Sequence, residues 1–364
     1  MNEVIETKRP LAEGDGATKG SIARELRLRI VSGEFGPGKR LPTRSELQQH
    51  FGTTKVTVQR AFDDLVEDGF ILADGRRGTF VSATPPHLTR YGLVFMGHPD
   101  QLDWPPFLES LRQEAAKLAK AGGRQFPCYY CVDQHQNSDD YSRLLRELHT
   151  QQLAGIVFTY TPEFVAHTRL METHGVPMVA ISDLPRFEIP VVSIDYSSFF
   201  EKALDHLAAR GKRRVAALVP EMLYEAFSGQ FRMGVAQRGL CTKPYWWQPV
   251  YLGSPEFARP YAHLMMHPNQ AVRPDALIIA NDNLTESTLA GLMDAGIRVP
   301  DDVEIVAHCN FPVDSLPSAP MQRLGYDVRI VLDTCLQAID LQRRGEIVPL
   351  RTAVPAVMES LVPR

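Results

Sequence analysis

The stretch from Leu41 to Val81 constrains the fold more than any other part of the sequence. It opens with Thr43, and Glu46 follows three residues later, which is the spacing of a capping box. In a capping box each side chain bonds the backbone amide of the other residue, so the pattern marks the start of a helix. Apolar residues one turn apart predict that this helix is short, and Gly52 supplies the turn that ends it.

A second helix is predicted to begin near Thr54 and to end at Gly69. Apolar residues recur along it at three- and four-residue spacing and give it one buried side: Val58, Ala61, Phe62 and Leu65. Its opposite side begins with polar and basic residues: Lys55, Thr57, Gln59 and Arg60. Two short helices about a tight turn make a helix-turn-helix, whose second helix enters the major groove of DNA.

The next segment, residues 70–81, predicts a β-hairpin. Two apolar runs flank Asp74 and Gly75, and Asp-Gly between such runs is a strong hairpin signal. Arg76 and Arg77 lie on or beside the tip. A helix-turn-helix followed by a basic hairpin has the layout of a winged helix. Each piece alone has an ordinary structural explanation, but their order within one compact segment favours a unit that reads DNA.

This segment and the residues before it resemble the winged-helix domain of GntR-type bacterial repressors. The resemblance covers about residues 19–82 and rests on LPTRSEL at 41–47, FG at 51–52, TVQRAFDDLVEDGFI at 57–71 and RGTFV at 77–81, with a helix at 21–30 and a glycine-proline turn at 32–38 before them. Ser45, the pair Thr54-Lys55 and Gln59 depart from arginine-containing positions that contact DNA in the family. The operator sequence therefore does not transfer with the fold.

The resemblance implies a set of DNA-contacting residues: Lys39, Arg40, Thr43, Arg44, Ser45, Thr54, Lys55, Thr57, Gln59, Arg60, Arg76, Arg77 and Gly78. We expect Lys55, Thr57 and Gln59 to read base edges, because glutamine suits adenine and lysine suits guanine. The other basic side chains are expected to contact phosphates or the minor groove: Lys39, Arg40, Arg44, Arg60, Arg76 and Arg77.

Composition is that of a soluble globular protein with two or three domains: 364 residues, 44% of them hydrophobic and 23% charged. The net charge is −4, yet residues 19–82 hold 11 Lys and Arg against 8 Asp and Glu, so positive charge is concentrated where DNA would lie. Residues 1–18 are polar and lack the apolar core of a signal peptide, which predicts a mobile tail. No run approaches the length of a membrane helix, so we expect a cytoplasmic protein that does not enter a membrane.

The sequence contains no complete motif for a metal, a cofactor or catalysis. Cys128 and Cys131 form a CxxC, but there is no second pair, and their apolar surroundings predict buried thiols in a strand. His263 and His267 lack the glutamate of HExxH. Nucleotide-binding glycine loops and a GxSxG elbow are also missing. We therefore expect no cofactor, no metal and no enzymatic activity.

Beyond a proline-containing linker at 83–90, residues 91–364 alternate between strand-like and helix-like patterns. Strands are predicted at 91–96, 126–132, 155–160, 178–182, 191–194, 215–219, 276–280 and 303–307. Helices are predicted at 107–121, 139–151, 163–174, 199–209, 227–238, 256–266 and 284–295. Repeated βα units predict an α/β fold with parallel sheets covered on both faces, in which ligands bind beyond the carboxyl ends of the strands.

Residues 91–364 resemble the sensor domains of LacI-type regulators. The resemblance rests on VVSIDY at 191–196, HLAARGKRRVAALV at 206–219, DALIIAND at 275–282, GIRVPDDVEIV at 296–306 and VPAVME at 354–359. It implies two lobes like those of periplasmic binding proteins, joined by crossing strands, with an effector between them. The chain is thus predicted to be an N-terminal winged helix-turn-helix followed by a two-lobed sensor that also mediates dimerisation.

Ligand residues carry over from the family one at a time. Asp282 matches an Asp that bonds sugar hydroxyls, although it could equally cap the helix that follows. Phe107 matches an aromatic at the start of the first sensor helix, and Trp104 nearby could also stack on a sugar. Arg232 resembles a ligand-binding Arg with its spacing one residue short, and Asn310 is the candidate replacement for an Asp that is Cys309 here. Tyr160 and Asp183 lie at predicted strand ends and either line the cleft or close turns.

These features predict a homodimeric repressor that binds a near-palindromic operator and responds to a small, sugar-like effector. Because the cleft residues of the family are only partly kept, a sensor that binds no small molecule stays open. Two further alternatives are a ligand-binding protein with a vestigial DNA domain and, with less support, an enzyme on the same scaffold.

Overall fold

The computed structural model describes residues 17–101, 104–173, 175–182, 188–312 and 319–362. Residues 1–16 of the predicted tail lie outside these ranges. The chain divides into two compact units. Unit 1 contains Met1–Arg90, Arg143–Ala154 and Thr173–Val176, and unit 2 contains Tyr91–Ser142, Gly155–Glu172 and Pro177–Arg364. Within the described ranges, no helix is both long and apolar enough to cross a membrane.

The winged helix of unit 1 has the predicted order of elements. Three helices precede a two-stranded antiparallel sheet: α1 (Lys19–Val31), α2 (Arg44–Phe51), α3 (Lys55–Glu67), β1 (Ile71–Asp74) and β2 (Gly78–Val81). A turn of 3-10 helix at Gly75–Arg77 forms the tip of the wing. The short helix α4 (Pro86–Thr89) follows within the segment that the sequence predicts to be a linker.

Local hydrogen bonds set the ends of these helices. At α2, the Thr43 hydroxyl accepts from the Glu46 amide at 3.3 Å, and Glu46 accepts from the Thr43 amide at 2.6 Å, which confirms the capping box. These hydrogen bonds lower the pKa of the Glu46 carboxyl. Gly52 ends α2 in the left-handed region at φ 60°, and Thr54 caps α3 by accepting from the Thr57 amide.

One apolar core holds the winged helix together, since each helix has one buried side that the others cover. The largest contributors are all at most 7% exposed: Ile22, Leu26, Phe35, Leu47, Phe51, Phe62, Leu65 and Phe70. The predicted apolar side of α3 points into this core. Its polar side is therefore left facing outward.

Unit 2 is built around two six-stranded sheets. The first has the strand order β13-β7-β6-β5-β3-β4, with strands at β3 (Tyr91–Val94), β4 (Cys128–Tyr129), β5 (Gly155–Phe158), β6 (Met178–Ile181), β7 (Val191–Asp195) and β13 (Arg351–Pro355). The second has the order β14-β12-β11-β10-β8-β9, with strands at β8 (Val215–Pro220), β9 (Trp247–Val250), β10 (Ala276–Ile279), β11 (Glu304–Phe311), β12 (Gln322–Asp327) and β14 (Val357–Met358).

Both sheets are parallel except where β14 pairs antiparallel with β12. Helices connect the strands: α5 (Pro106–Ala121), α6 (Asp139–His149), α7 (Arg169–Glu172), α8 (Tyr196–Ala209), α9 (Glu221–Gln237), α10 (Ala258–Met266), α11 (Thr285–Asp294) and α12 (Val328–Arg343). The chain passes from one sheet to the other after β7, after β12 and after β13. The α/β fold with two parallel-sheet lobes is thus confirmed.

Three sequence predictions in this region are wrong in detail. The helix predicted at 163–174 is a 3-10 turn at Pro162–Val165 followed by the four-residue α7. The strand predicted at 126–132 spans only Cys128–Tyr129, and the chain turns at Cys131, which has φ 53° and is exposed rather than buried. The sequence reading also missed β9, β12 and the 16-residue α12.

Candidate functional site

The outer face of α3 presents polar and cationic groups to solvent. Lys55 is exposed at the first position of the helix, and the first turn contains no acidic residue. The positive end of the helix dipole and the Lys55 ammonium therefore reinforce one another at this end, which suits phosphate or an electronegative base edge. The Thr54 and Thr57 hydroxyls lie 2.8 Å apart beside it, and Arg60 is exposed one turn further along.

Several of the predicted contact residues already have partners within the winged helix. The Gln59 amide donates to Asp63 at 2.7 Å, and the Lys39 ammonium donates to the Glu34 carbonyl at 2.8 Å. The Arg44 guanidinium lies 5.2 Å from the centre of the Phe62 ring. These side chains would exchange or share such contacts on binding DNA, because each has further donors.

The remaining predicted contacts lie around the start of α2 and on the wing. Ser45 and Thr43 are exposed at the start of α2, next to Arg44. Arg77 is exposed at the wing tip, and one of its guanidinium nitrogens is 3.5 Å from the Asp74 carboxylate. The side chain of Arg76 lies outside the described residues.

Gly78 fixes the position of Arg40 against the wing. It has φ 118°, and a Cβ built on it would lie 2.9 Å from Nε of Arg40. The Arg40 backbone forms an isolated antiparallel bridge with Phe80 of β2. The glycine thus lets an exposed guanidinium lie directly on the backbone of the hairpin, next to the tip.

We expect Gly78→Ala to destabilise the winged helix by about 1–3 kcal/mol, because alanine is strained at this φ. The flexible Arg40 guanidinium would also be displaced, and DNA affinity should fall. Urea unfolding of the full chain and titration with DNA measure the two effects. Gly20→Ala is the matched control, since Gly20 lies in α1 with nothing within 4 Å of an added Cβ. Equal effects of the two variants would contradict this role for Gly78.

Unit 2 contains a cavity of about 590 Å³ between residues of its two lobes. Its volume is within the range of small-molecule sites. It is lined by Trp104, Pro105, Phe107, Ile194, Tyr196, Leu252, Gly253, Pro255, Asn281, Asp282, Asn283, His308 and Asn310. Aromatic rings from the segment after β3 and polar side chains from the segments at the ends of β10 and β11 thus line one space.

The polar side of the cavity is centred on Asp282, whose side chain is 3% exposed. Nδ2 of Asn310 donates to Oδ2 of Asp282 at 2.7 Å, and Nδ1 of His308 is 3.8 Å from Oδ1. Burial lowers the pKa of His308 although the Asp282 carboxylate acts to raise it, so the imidazole is neutral at pH 7. Oδ1 of Asn310 is buried with no hydrogen-bond partner among the described residues.

The turn that begins at Asp282 is capped by the preceding residue. The side-chain cap of the turn at Asp282–Leu284 comes from Asn281, which accepts from the Asn283 amide at 3.0 Å. Capping by Asn281 leaves the Asp282 carboxylate directed at Asn310 and the cavity. The site can therefore offer a ligand two strong acceptors, a carboxylate and a buried amide oxygen.

The predicted ligand residues separate into three groups. Trp104, Phe107, Asp282 and Asn310 line the cavity. Tyr160 and Arg232 do not line it: the Tyr160 hydroxyl donates to the Val132 carbonyl at 2.6 Å, and Arg232 is on the exposed side of α9. Asp183 lies outside the described residues.

The orientation of α9 keeps Arg232 out of the cavity. Its neighbour Phe231 is 1% exposed and stacks on Trp247 with ring centres 4.6 Å apart. A residue that follows a core position by one is turned by about 100° on a helix, which puts Arg232 in solvent.

Sequence reasoning missed several lining residues, among them Tyr196, Asn281, Asn283 and His308. His308 directly precedes Cys309, the position for which Asn310 is the predicted replacement. Its alternation with Asn310 along β11 was a usable signal, because residues two apart in a strand point to the same face.

Two family models match separate parts of the chain. Residues 18–81 match the family described as bacterial regulatory proteins, gntR family, and residues 204–364 match the periplasmic binding protein-like domain. The arabinose metabolism transcriptional repressor of Geobacillus stearothermophilus is 24% identical over 313 residues, which cover 80% of this chain and 81% of that protein.

Two further comparisons each cover only part of the chain. The HTH-type transcriptional regulator TauR of Rhodobacter capsulatus is 41% identical over 73 residues, which are 20% of this chain and only 15% of TauR. A regulatory protein of the LacI family from Chloroflexus aggregans superposes with a TM-score of 0.60 at 16% identity and covers 74% of this chain and 96% of that protein. This last likeness shows the fold of the sensor.

Proposed function

We propose that this chain, a transcription regulator that joins a gntR-family DNA-binding domain to a periplasmic-binding-protein-like sensor domain, is a repressor controlled by a small polyhydroxylated effector. The cavity of unit 2 is the observation that carries this proposal, because it combines aromatic faces with buried hydrogen-bond acceptors. Aromatic rings stack on the apolar face of a sugar, and carboxylate and amide oxygens accept from its hydroxyls.

The charge of the cavity narrows the class of effector. Asp282 is the acidic residue in the lining, and no Lys or Arg is among the described residues that line it. A phosphate or carboxylate on the ligand would be desolvated beside a buried carboxylate, which is strongly unfavourable. We therefore propose that the effector is an uncharged sugar or sugar alcohol, or a positively charged amino sugar. A sugar phosphate or sugar acid does not fit this cavity.

The DNA-binding side of the proposal concerns the outer face of α3 and the wing. Lys55, Thr57 and Gln59 would read base edges, and Arg40, Arg60 and Arg77 would contact the backbone or minor groove. We propose a homodimer in the cytoplasm, so that two such faces bind a near-palindromic operator. The dimer would have two conformations that differ in operator affinity. An effector that binds one of them more tightly than the other then changes the affinity for the operator.

Selection of bound sequences from a random DNA pool tests the DNA-binding side. The selected sequences are expected to share an inverted repeat, and binding should weaken steeply as salt rises. A pool that remains random after repeated rounds would contradict sequence-specific binding. It would favour the alternative of a binding protein with a vestigial DNA domain if ligands still stabilise the chain.

The effector is tested on the selected operator with three matched series: neutral sugars and polyols, amino sugars, and the corresponding phosphates and acids. We expect a neutral or amino compound to change operator affinity at millimolar concentration, and the anionic counterparts to have no effect. A response to anionic compounds alone, or to no compound in the panel, would contradict the proposed effector class.

A further inference from the structure

The C-terminal end of α3 is held by a chain of partly buried polar contacts inside unit 1. Asp68 is the residue that follows the last turn of α3, and both of its carboxylate oxygens are engaged. Oδ2 accepts from the Arg27 guanidinium of α1 at 2.5 Å, and Oδ1 accepts from Nε2 of Gln152 at 2.8 Å. Arg27 lies within the winged helix. Gln152, in contrast, follows α6 and is 84 residues after Asp68.

The contacts continue beyond Gln152. Its Oε1 accepts from Nη1 of Arg90 at 3.2 Å, and Nη2 of Arg90 donates to the Glu147 carboxylate at 3.0 Å. The side chains of Arg90 and Glu147 are only 21% and 10% exposed. Two arginines and two carboxylates are thus linked through one amide, and the four charged side chains are at most 22% exposed.

This network occupies a distinctive place in the sequence. Arg90 directly precedes β3, and Gln152 lies three residues before β5. Those two strands pair in the first sheet, where Tyr91 and Gly155 are register partners. The end of α3 is therefore bonded to the two chain segments that directly precede β3 and β5.

The contact leaves the proposed DNA-reading face free. Lys55 and Asp68 are at opposite ends of α3, which at 13 residues is about 20 Å long. A contact at the far end can hold the helix without covering the first turn.

We propose that Asp68 and Gln152, backed by Arg90 and Glu147, form a latch within unit 1 that ties the end of α3 to the chain segments before β3 and β5, and that effector binding acts on DNA affinity through this latch. The second half of this proposal rests on the proposed function, whereas the first half does not. Gln152 is the residue of this network that bonds both Asp68 and Arg90, so loss of its contact with Asp68 would release the end of α3 from the segments before β3 and β5.

Gln152→Glu tests the latch without leaving Arg90 unpaired. The new carboxylate can still accept from Arg90, but it would meet the Asp68 carboxylate at the present 2.8 Å contact and repel it. Gln237→Glu is the matched control, because Gln237 is exposed at the end of α9. Both variants change the charge of the chain equally.

The first measurement is amide hydrogen exchange of the full chain without DNA or effector. We expect residues 64–72 and 83–90 to exchange at least about tenfold faster in Gln152→Glu, as opening of the latch requires, with no change in Gln237→Glu. Unchanged exchange in Gln152→Glu overturns the latch. This readout does not depend on operator or effector, so it stands even if the proposed function fails.

The second measurement is operator affinity with and without a saturating sugar identified by the panel described above. In Gln152→Glu the ratio of the two affinities should fall towards one, while the affinity of the chain for the sugar stays within about twofold of the parent. Faster exchange together with an undiminished ratio would overturn the coupling role and leave only a structural contact.

Discussion

Lys55→Glu should lower operator affinity by about 100-fold or more and leave the sensor unaffected. The variant removes a contact that contributes roughly 1–3 kcal/mol if it reaches a base, and it adds a carboxylate that DNA phosphates repel. It also places a negative charge at the exposed first turn of α3, where Lys55 now adds to the positive end of the helix. Electrophoretic mobility shift or fluorescence anisotropy with the selected operator measures the loss.

The salt dependence of binding separates this role from unfolding. The slope of log affinity against log salt concentration is negative, and its magnitude should decrease by about one to two, because one cationic contact is lost and one anionic group is gained. Lys120→Glu is the charge-matched control, since Lys120 is exposed at the end of α5 in unit 2. If Lys120→Glu weakened binding as much as Lys55→Glu, the effect would be one of net charge, and the reading role of α3 would be wrong.

The winged helix could be predicted in detail because its signals are local. The capping box of Thr43 and Glu46, the turn at Gly52 and the hairpin at Asp74-Gly75 each act over four residues or fewer. Local patterns of this kind do not predict contacts between distant parts of the same unit. Asp68 and Gln152 are an example, because they are 84 residues apart and nothing in the sequence around either residue indicates a contact with the other.

The polar contacts in the cavity of unit 2 also could not be predicted from the sequence, since the pairing of the strands decides which polar residues meet. Ile279, the last residue of β10, pairs with Ala307 of β11, and in the turn that follows β10 the Asp282 side chain accepts from Asn310 of β11. The sequence proposed both residues separately but could not join them, and it missed His308 on the same face. The long α12 is a different case, because its Asp327 cap and its apolar periodicity are local signals from which the helix could be predicted.

The Asp282 carboxylate is expected to dominate effector affinity because it is the buried charge in the lining of the cavity. It is held by Asn310 at 2.7 Å and is therefore oriented before a ligand arrives. Hydroxyl or ammonium groups that bond to a fixed, buried carboxylate form charge-assisted hydrogen bonds of roughly 1.5–3 kcal/mol each. Two such bonds would account for most of the selectivity among polyols.

Asp282→Asn should therefore weaken binding of the effector by about 100-fold, which corresponds to roughly 2.7 kcal/mol, with little change in fold because the amide has the same shape. An amino sugar should lose more affinity than its neutral counterpart, since it also loses an opposite charge. Isothermal titration calorimetry measures both losses. Asp294→Asn is the control, because Asp294 on α11 pairs with Arg259 at the surface, away from the residues that line the cleft. If Asp282→Asn bound neutral and amino sugars as tightly as the parent chain, the cavity would not be the effector site in the form proposed.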